Sequence, residues 1–329
     1  MTHMDCDKND RILEIFMRAL RGEAISLKKL ADEYNVSTKS ISRDISRIQN
    51  FLSEHRELMQ NAELTYSRKD KTYLFNNDEF LKNKELFALV KILLGSRALS
   101  KDEILILISK LKKFTTAGDR EALENIIRKE IYHYHEVKSD CPSVIENLWK
   151  VIWAIEEKRT LTIDYYQKSR NRIKPKILPA AVMFSEYYFY LIAYIAADTE
   201  YKAHHFRIDR IISITEHREH FQLEKKYDFD EGDLREKNQF MFPGENIRIR
   251  FEFSGPSLQA ILDRLPTAKV VEKNGNVSII EAEVNYGRGI IMYLMSQGAW
   301  VRVLSPDCLI EDMKAEIEKM RNQYEEKIR

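Results

Sequence analysis

Val36-Ser37-Thr38-Lys39-Ser40-Ile41-Ser42-Arg43-Asp44-Ile45 is the stretch that decides the reading of this chain. Ser37 carries the short hydroxyl that caps a helix, and Ile41, Ile45 and Ile48 recur at the spacing of one buried stripe. Thr38, Lys39, Ser42, Arg43 and Arg47 then face outward, with hydroxyls, an ammonium and two guanidinium forks that suit a major groove. Asp44 is the exception, because an anion is repelled by phosphate; it is expected to orient Arg43 or Arg47. Just upstream, Ser26 to Tyr34 predicts a shorter helix capped by Ser26, and Asn35 tolerates the left-handed turn that would join the two.

Working outward, Arg11 to Leu20 supplies a first helix with Ile12, Ile15, Phe16 and Leu20 on one side. Downstream, Leu64–Ser67 and Thr72–Phe75 flank Arg68-Lys69-Asp70-Lys71, a strand pair with a basic tip. This order resembles the DeoR-type winged helix, whose recognition helix reads V-S-x-x-T-I-x-R-D-I. Ser40 stands for the threonine and every other specified residue matches. The resemblance implies a double-stranded DNA operator, contacted by Ser37, Thr38, Lys39, Ser42, Arg43 and Arg47 from the helix and by Arg68 and Lys69 from the wing. The competing reading is a packing helix with a solvated charged face.

At 329 residues, with 44% hydrophobic content, the chain is long enough for two or three cores. Lys+Arg 53 nearly cancel Asp+Glu 52, so any basic surface must be local. Cys6, Cys141 and Cys308 lie far apart, which argues against a disulfide framework or a C-x-x-C metal site and fits a reducing cytoplasm. No stretch approaches the roughly 20 apolar residues that span a bilayer, and Met1 to Asp10 lacks a signal peptide's apolar region, so a cytoplasmic protein without a membrane partner is expected.

The expected organisation is α+β and multidomain: a winged helix-turn-helix over 1–76, a helical connector over 77–140, a small β-barrel or strongly bent sheet over 141–238, and an α/β extension over 239–329. The connector's stripes, Leu86, Leu89, Val90, Leu93 and Leu94 on one helix and Ile104, Leu105, Ile108 and Leu111 on another, have no obvious internal partner, which makes this region the expected meeting place of a homodimer. Strands are predicted at Leu161–Tyr166, Ala180–Phe184, Tyr187–Tyr194 and His205–Ile214. Glu224 to Asn238 and Phe240 to Gly244 read as a linker. The last part is expected to contain a strand from Ile247, a helix around Leu258–Leu265, a hairpin turned at Lys273–Asn276, a helix ended by Gly298, and a closing helix with Ile310, Met313, Ile317 and Met320 inward.

Phe189-Tyr190-Leu191-Ile192 followed by Phe206-Arg207-Ile208-Asp209-Arg210-Ile211 resembles the WYL domain, named for a Trp-Tyr-Leu strand and carrying a downstream F-R-x-D-R-I. The second motif matches throughout; the first has phenylalanine for tryptophan, and His204 stands where the family usually has arginine. Tyr286 to Gly289, Gly298 to Val301 and Leu304-Ser305-Pro306 look like the extension attached to such domains. The resemblance implies an Sm-like, SH3-type barrel that senses a nucleic-acid or nucleotide effector. The residues suit that chemistry. Arg207 and Arg210 offer phosphate forks, with Arg207 the stronger candidate; Tyr190 offers a ring; His204 and His205 offer donors; Arg172 and Lys174, with Lys168 and Arg170, form a second basic strip. Asp209 is also able to neutralise a neighbouring arginine.

Neither catalysis, a cofactor nor a metal is expected. His217-Arg218-Glu219-His220 lacks a third ligand at a recognisable spacing, Tyr132-His133-Tyr134-His135 reads as a packing feature at a helix end, and Gly287-Arg288-Gly289 is too short to cradle phosphates. The reading is therefore a dimeric DNA-binding transcription regulator with an effector-sensing domain. A nucleic-acid-binding accessory protein outside transcription is the alternative, and a metal-dependent enzyme the third.

Overall fold

The computed structural model describes residues 7–59, 62–76, 83–114, 117–200, 202–222, 231–242 and 244–325. Cys6, residues 77–82 and 115–116 of the expected connector, residues 224–230 of the expected linker and Pro243 lie outside them. The chain divides into two compact units, Met1–Glu136 and Val137–Arg329.

The first unit begins with α1 (Lys8–Leu20), α2 (Leu27–Glu33), α3 (Thr38–Glu54) and the short α4 (Arg56–Met59), followed by the hairpin β1 (Glu63–Ser67) and β2 (Thr72–Asn76). Local chemistry sets the boundaries. The Ser26 and Ser37 hydroxyls accept the Lys29 and Ser40 N–H groups at the starts of α2 and α3, and Asn35 takes the left-handed φ of 50° that turns the chain between them. Ile15, Leu30, Ile41, Ile45, Ile48 and Leu64 share one core, and Ile25 bridges Tyr73 so that the segment before α2 extends the hairpin.

Three further helices follow: α5 (Asn83–Ser96), α6 (Lys101–Lys112) and α7 (Ala117–Tyr132). Their apolar stripes find internal partners in part, with Leu89 and Leu105 left exposed. Leu86, Val90 and Leu94 of α5, Ile104 and Ile108 of α6, and Ile127 of α7 are buried as α5 packs on α6 and α7. Tyr134, which closes the region, is also buried and donates its hydroxyl to the Leu99 carbonyl at 2.8 Å.

The second unit opens with α8 (Val144–Glu156), capped by Ser143, which lies against a six-stranded antiparallel sheet. The strands are β3 (Arg159–Tyr166), β4 (Arg172–Ile173), β5 (Lys176–Ser185), β6 (Tyr188–Ile195), β7 (Ala203–Arg207) and β8 (Ile211–His220). Their order is β4-β3-β5-β6-β7, with β8 on the other edge of β3. Pro179 has no N–H to give the ladder, and the β5–β6 register shifts there, bending the strand. The result is a curled half-barrel. Among the described residues it stays open between β7 and β8, which are joined by a 3-10 turn at Ile208–Arg210.

The described part of the expected linker is not free chain. α9 (Glu231–Lys237) packs Leu234, and the following segment packs Met241, into one cluster with Ala181, Met183 and Ile192 of the sheet. The remainder runs β9 (Asn246–Phe253), α10 (Leu258–Arg264), β10 (Lys269–Asn274), β11 (Val277–Asn285), α11 (Arg288–Ser296), β12 (Val301–Ser305) and α12 (Asp307–Glu325), with strand order β10-β11-β9-β12. Gly275 turns the β10–β11 hairpin at φ 61°, a left-handed value that favours glycine. Phe251, Ile280, Ile290, Leu294, Leu309 and Met313 form the core between sheet and helices.

The inner face expected for α12 is only half realised. Met313 is buried, with Leu309 rather than Ile310, whereas Ile317 and Met320 are 55% and 48% exposed. A helix of 19 residues runs about 28 Å, and the five-residue strand it packs beside runs about 17 Å, so its last turns extend past their support.

Candidate nucleic-acid face and ligand cleft

In the first unit, Thr38, Lys39, Arg43 and Arg47 are exposed along α3, and Ser42 is half-buried among them. Ser37 is occupied differently: its Oγ accepts the Ser40 N–H at 3.1 Å and lies 2.9 Å from the Ser40 hydroxyl, so its polarity is used in capping. At the hairpin tip, Asp70 accepts from the Ser67 hydroxyl at 2.8 Å, which stabilises the turn, and Arg68 and Lys69 are exposed without a carboxylate partner among the described residues.

Asp44 departs from expectation. It points inward, is fully buried, and its Oδ2 accepts from Arg11 Nε at 2.8 Å and Nη2 at 2.7 Å. Position explains the difference: Asp44 sits beside Ile41, Ile45 and Ile48 on the inner side of α3, whereas Arg43 and Arg47 are exposed on its outer side.

In the second unit, the open side of the half-barrel forms a cleft of about 750 Å³. Tyr165, Tyr190, Phe206, Phe240 and Phe242 supply rings, and Lys168, Lys202, Arg207 and Arg210 supply cations. Among the described residues, no carboxylate lines it. The sequence brings Tyr190, His204, His205, Arg207 and Arg210 to this cleft, but not Arg172 and Lys174. Those two grip Asp164 instead, Arg172 through a fork of two 2.6 Å hydrogen bonds and Lys174 at 3.2 Å, and hold its carboxyl down at about 2. Arg170 is likewise committed, to Asp140 at 2.7 Å.

The two arginines of F-R-x-D-R-I differ in their engagements. Strand alternation stops at the 3-10 turn, which lets Asp209 fold back on Arg207: Nε and Nη2 donate to its two oxygens at 3.1 and 2.6 Å. The Arg207 guanidinium also lies 3.3 Å from the centre of the Tyr188 ring. Burial works against its charge, but the Asp209 carboxylate outweighs that and holds the guanidinium above its ordinary value. The Asp209 carbonyl meanwhile accepts the Asp140 and Cys141 N–H groups, tying the approach to α8 to the same turn. Arg210 has no carboxylate within ion-pair distance among the described residues, so its charge is available to the cleft.

His205 donates from Nδ1 to the Met241 carbonyl at 2.8 Å, which fixes its neutral tautomer with Nε2 bare, and burial lowers its pKa. Burial likewise raises the Tyr190 hydroxyl. His204 stacks on Phe206 with ring centres 6.1 Å apart.

Of the expected basic strip Lys168, Arg170, Arg172 and Lys174, Lys168 alone lines the cleft, whereas Lys202, and above all Phe240 and Phe242, were not among the expected site residues. Phe-Met-Phe at 240–242 was the available signal, since three large apolar residues have little reason to occupy a solvated linker. Among the described residues no group of three or more His, Cys, Asp or Glu is gathered as for a metal; His217 instead pairs with the Thr162 hydroxyl and His220 with the Glu157 carbonyl, both at 2.8 Å. No described helix is long and apolar enough to cross a membrane.

A model of the WYL domain matches residues 146–216, and a model of the WCX domain matches residues 245–321. The chain thus carries a WYL domain followed by a WCX domain. Two solved structures are similar to it. One is proteasome accessory factor B/C (PafBC) of Arthrobacter aurescens, at 17% identity and a TM-score of 0.31, covering 97% of this chain and 48% of that one, so that this chain spans about half its length. The other is a CRISPR Cas-related protein, at 13% identity and a TM-score of 0.36, covering all of this chain and 88% of that one. No curated protein matches the chain.

Proposed function

We propose that this protein is a sequence-specific transcription regulator of the WYL type, cytoplasmic and homodimeric, whose first unit is a winged helix-turn-helix that binds duplex DNA and whose second unit senses a nucleic-acid or nucleotide effector. The observation that carries the DNA reading is the outer face of α3, where Thr38, Lys39, Arg43 and Arg47 are exposed in the same unit as the basic hairpin tip Arg68–Lys69. A helix offers base-reading forks to the major groove while a hairpin tip meets phosphate. For the effector, the support is a cleft whose described lining combines rings and cations without a carboxylate. Such a lining favours a ligand with both a π-face and negative charge.

Binding of genomic fragments by the purified full chain, in mobility shifts at fixed salt with and without added effector, tests both halves. A regulator enriches a few short palindromic sites and releases or tightens on them when effector is present. Uniform affinity for all fragments, insensitive to nucleotides and oligonucleotides, overturns the reading.

A further inference from the structure

The cleft has one wall that the half-barrel does not make. It is the strap Gln239–Phe242, between the WYL match and the WCX match. Phe240 and Met241 both hold left-handed backbone, at φ 53° and 56°, a conformation that side chains of this size adopt only when surrounding contacts enforce it. Those contacts are specific. Met241 is buried against the sheet and its carbonyl accepts the His205 Nδ1–H hydrogen bond; the Arg264 guanidinium lies 5.2 Å from the Phe240 ring; and Gly289 of α11 approaches so closely that a Cβ there would stand 2.0 Å from the Gln239 carbonyl oxygen. What this costly backbone achieves is presentation of Phe240 and Phe242, on either side of the buried methionine, to the cleft. Phe242 is half-buried, and Lys168 Nζ stands 4.7 Å from its ring centre.

We infer that the strap is the base platform of the cleft: a nucleobase stacks on Phe242 while its phosphate is held by Lys168 and Arg210. The ligand class is a nucleotide unit, free or at the end of a single strand. This rests on the reading of the cleft as a nucleotide sensor and adds which element recognises the base. An aromatic face accepts any base, and an ammonium over that ring is positioned to exchange its weak ring contact for a phosphate. Arg207, already committed to Asp209 and Tyr188, is left as the rigid floor.

The test uses the full chain and three probes: adenosine 5′-monophosphate, a single-stranded tetra-adenylate, and ribose 5-phosphate, which has the phosphate but no base. Phe242→Leu keeps apolar bulk, and Phe242→Trp keeps a stacking face. Phe242→Leu is expected to weaken the base-containing probes about 5- to 150-fold, the range that stacking of one base spans, and to leave ribose 5-phosphate unchanged. Phe242→Trp is expected to retain affinity and to show fluorescence quenching on binding that the parent lacks. Tighter binding of the mononucleotide identifies a free nucleotide as the source, and tighter binding of the tetramer a strand end; either supports the inference. If the parent binds the probes and Phe242→Leu binds them equally well, the strap is not the platform although the sensor reading stands. If the parent binds none of the three, the sensor reading itself fails and the inference with it.

Discussion

Arg11 of α1 and Asp44 of α3 form a buried ion pair, with Nε and Nη2 both on the same carboxylate oxygen at 2.8 and 2.7 Å. The other oxygen, Oδ1, is buried without a hydrogen-bond partner. The pair therefore fixes the helix that carries the exposed cations to its neighbour, at the cost of one unsatisfied acceptor. Removing one member leaves the other charge stranded in the interior. Asp44→Ala is expected to destabilise the first unit by about 3–5 kcal/mol, read as a shift in denaturant midpoint. A midpoint equal to the parent's means that the pair is solvated and contributes nothing.

Arg43→Ala addresses the other side of the same helix. Its guanidinium is exposed, so stability should be unchanged while operator affinity falls by about 1–3 kcal/mol. Lys69→Ala, at the hairpin tip, should weaken all sequences alike and lower the salt dependence by about one counterion. Mobility shifts across a salt series separate the two behaviours, and an unaltered affinity for Arg43→Ala removes α3 from the groove.

Arg207 and Arg210 should part company. Arg207→Ala leaves the Asp209 carboxylate, 5% exposed, without its cation, and the expected result is a fall in stability of a few kcal/mol, within the range of about 3–5 for a broken buried pair. Arg210→Ala should keep the parent's melting behaviour and lose effector affinity instead. Thermal melts and calorimetric titrations on both variants check this; the reverse pattern assigns the ligand's phosphate to Arg207.

His205 gives the second unit a pH dependence of defined sign. Burial lowers its folded-state pKa below the ordinary value of about 6.5, so the unfolded chain binds a proton that the folded one resists. Its contribution to stability is full above that ordinary value and is lost as the pH falls from there toward the lowered pKa. Melting temperatures from pH 8 to 5 should decline more steeply for the parent than for His205→Gln, and parallel curves would show that His205 does not set the slope.

Gly289→Ala tests the closeness of α11 to the strap. A methyl 2.0 Å from the Gln239 carbonyl cannot be accommodated without backbone movement, and a cost of about 1–3 kcal/mol or more is expected. Gly95→Ala is the contrast, since nothing lies within 4 Å of a Cβ there and the exchange in a helix should be neutral or stabilising by up to about 1 kcal/mol. Equal midpoints for the two variants would mean that strap and helix separate easily.

The chemistry legible along the chain is the chemistry that depends on neighbours in sequence. Ser26 and Ser37 as caps, Asn35 as a left-handed turn, the Ile41–Ile45–Ile48 stripe and the glycine turn at 275 could all be read directly, because hydrogen bonds to the next helical turn and periodicity are local properties. Charge partnership is not local. Whether an arginine is free for a ligand depends on which carboxylate the fold delivers to it: Asp44 went to Arg11, 33 positions away, Asp164 took Arg172 and Lys174, and Asp209 reached Arg207 only because a 3-10 turn broke the strand alternation. The apolar Phe-Met-Phe of the strap was legible, but its place was not, for a related cause. Its two left-handed residues are held by His205, Arg264 and Gly289, and only tertiary packing brings Phe-Met-Phe from an expected linker to the wall of a cleft.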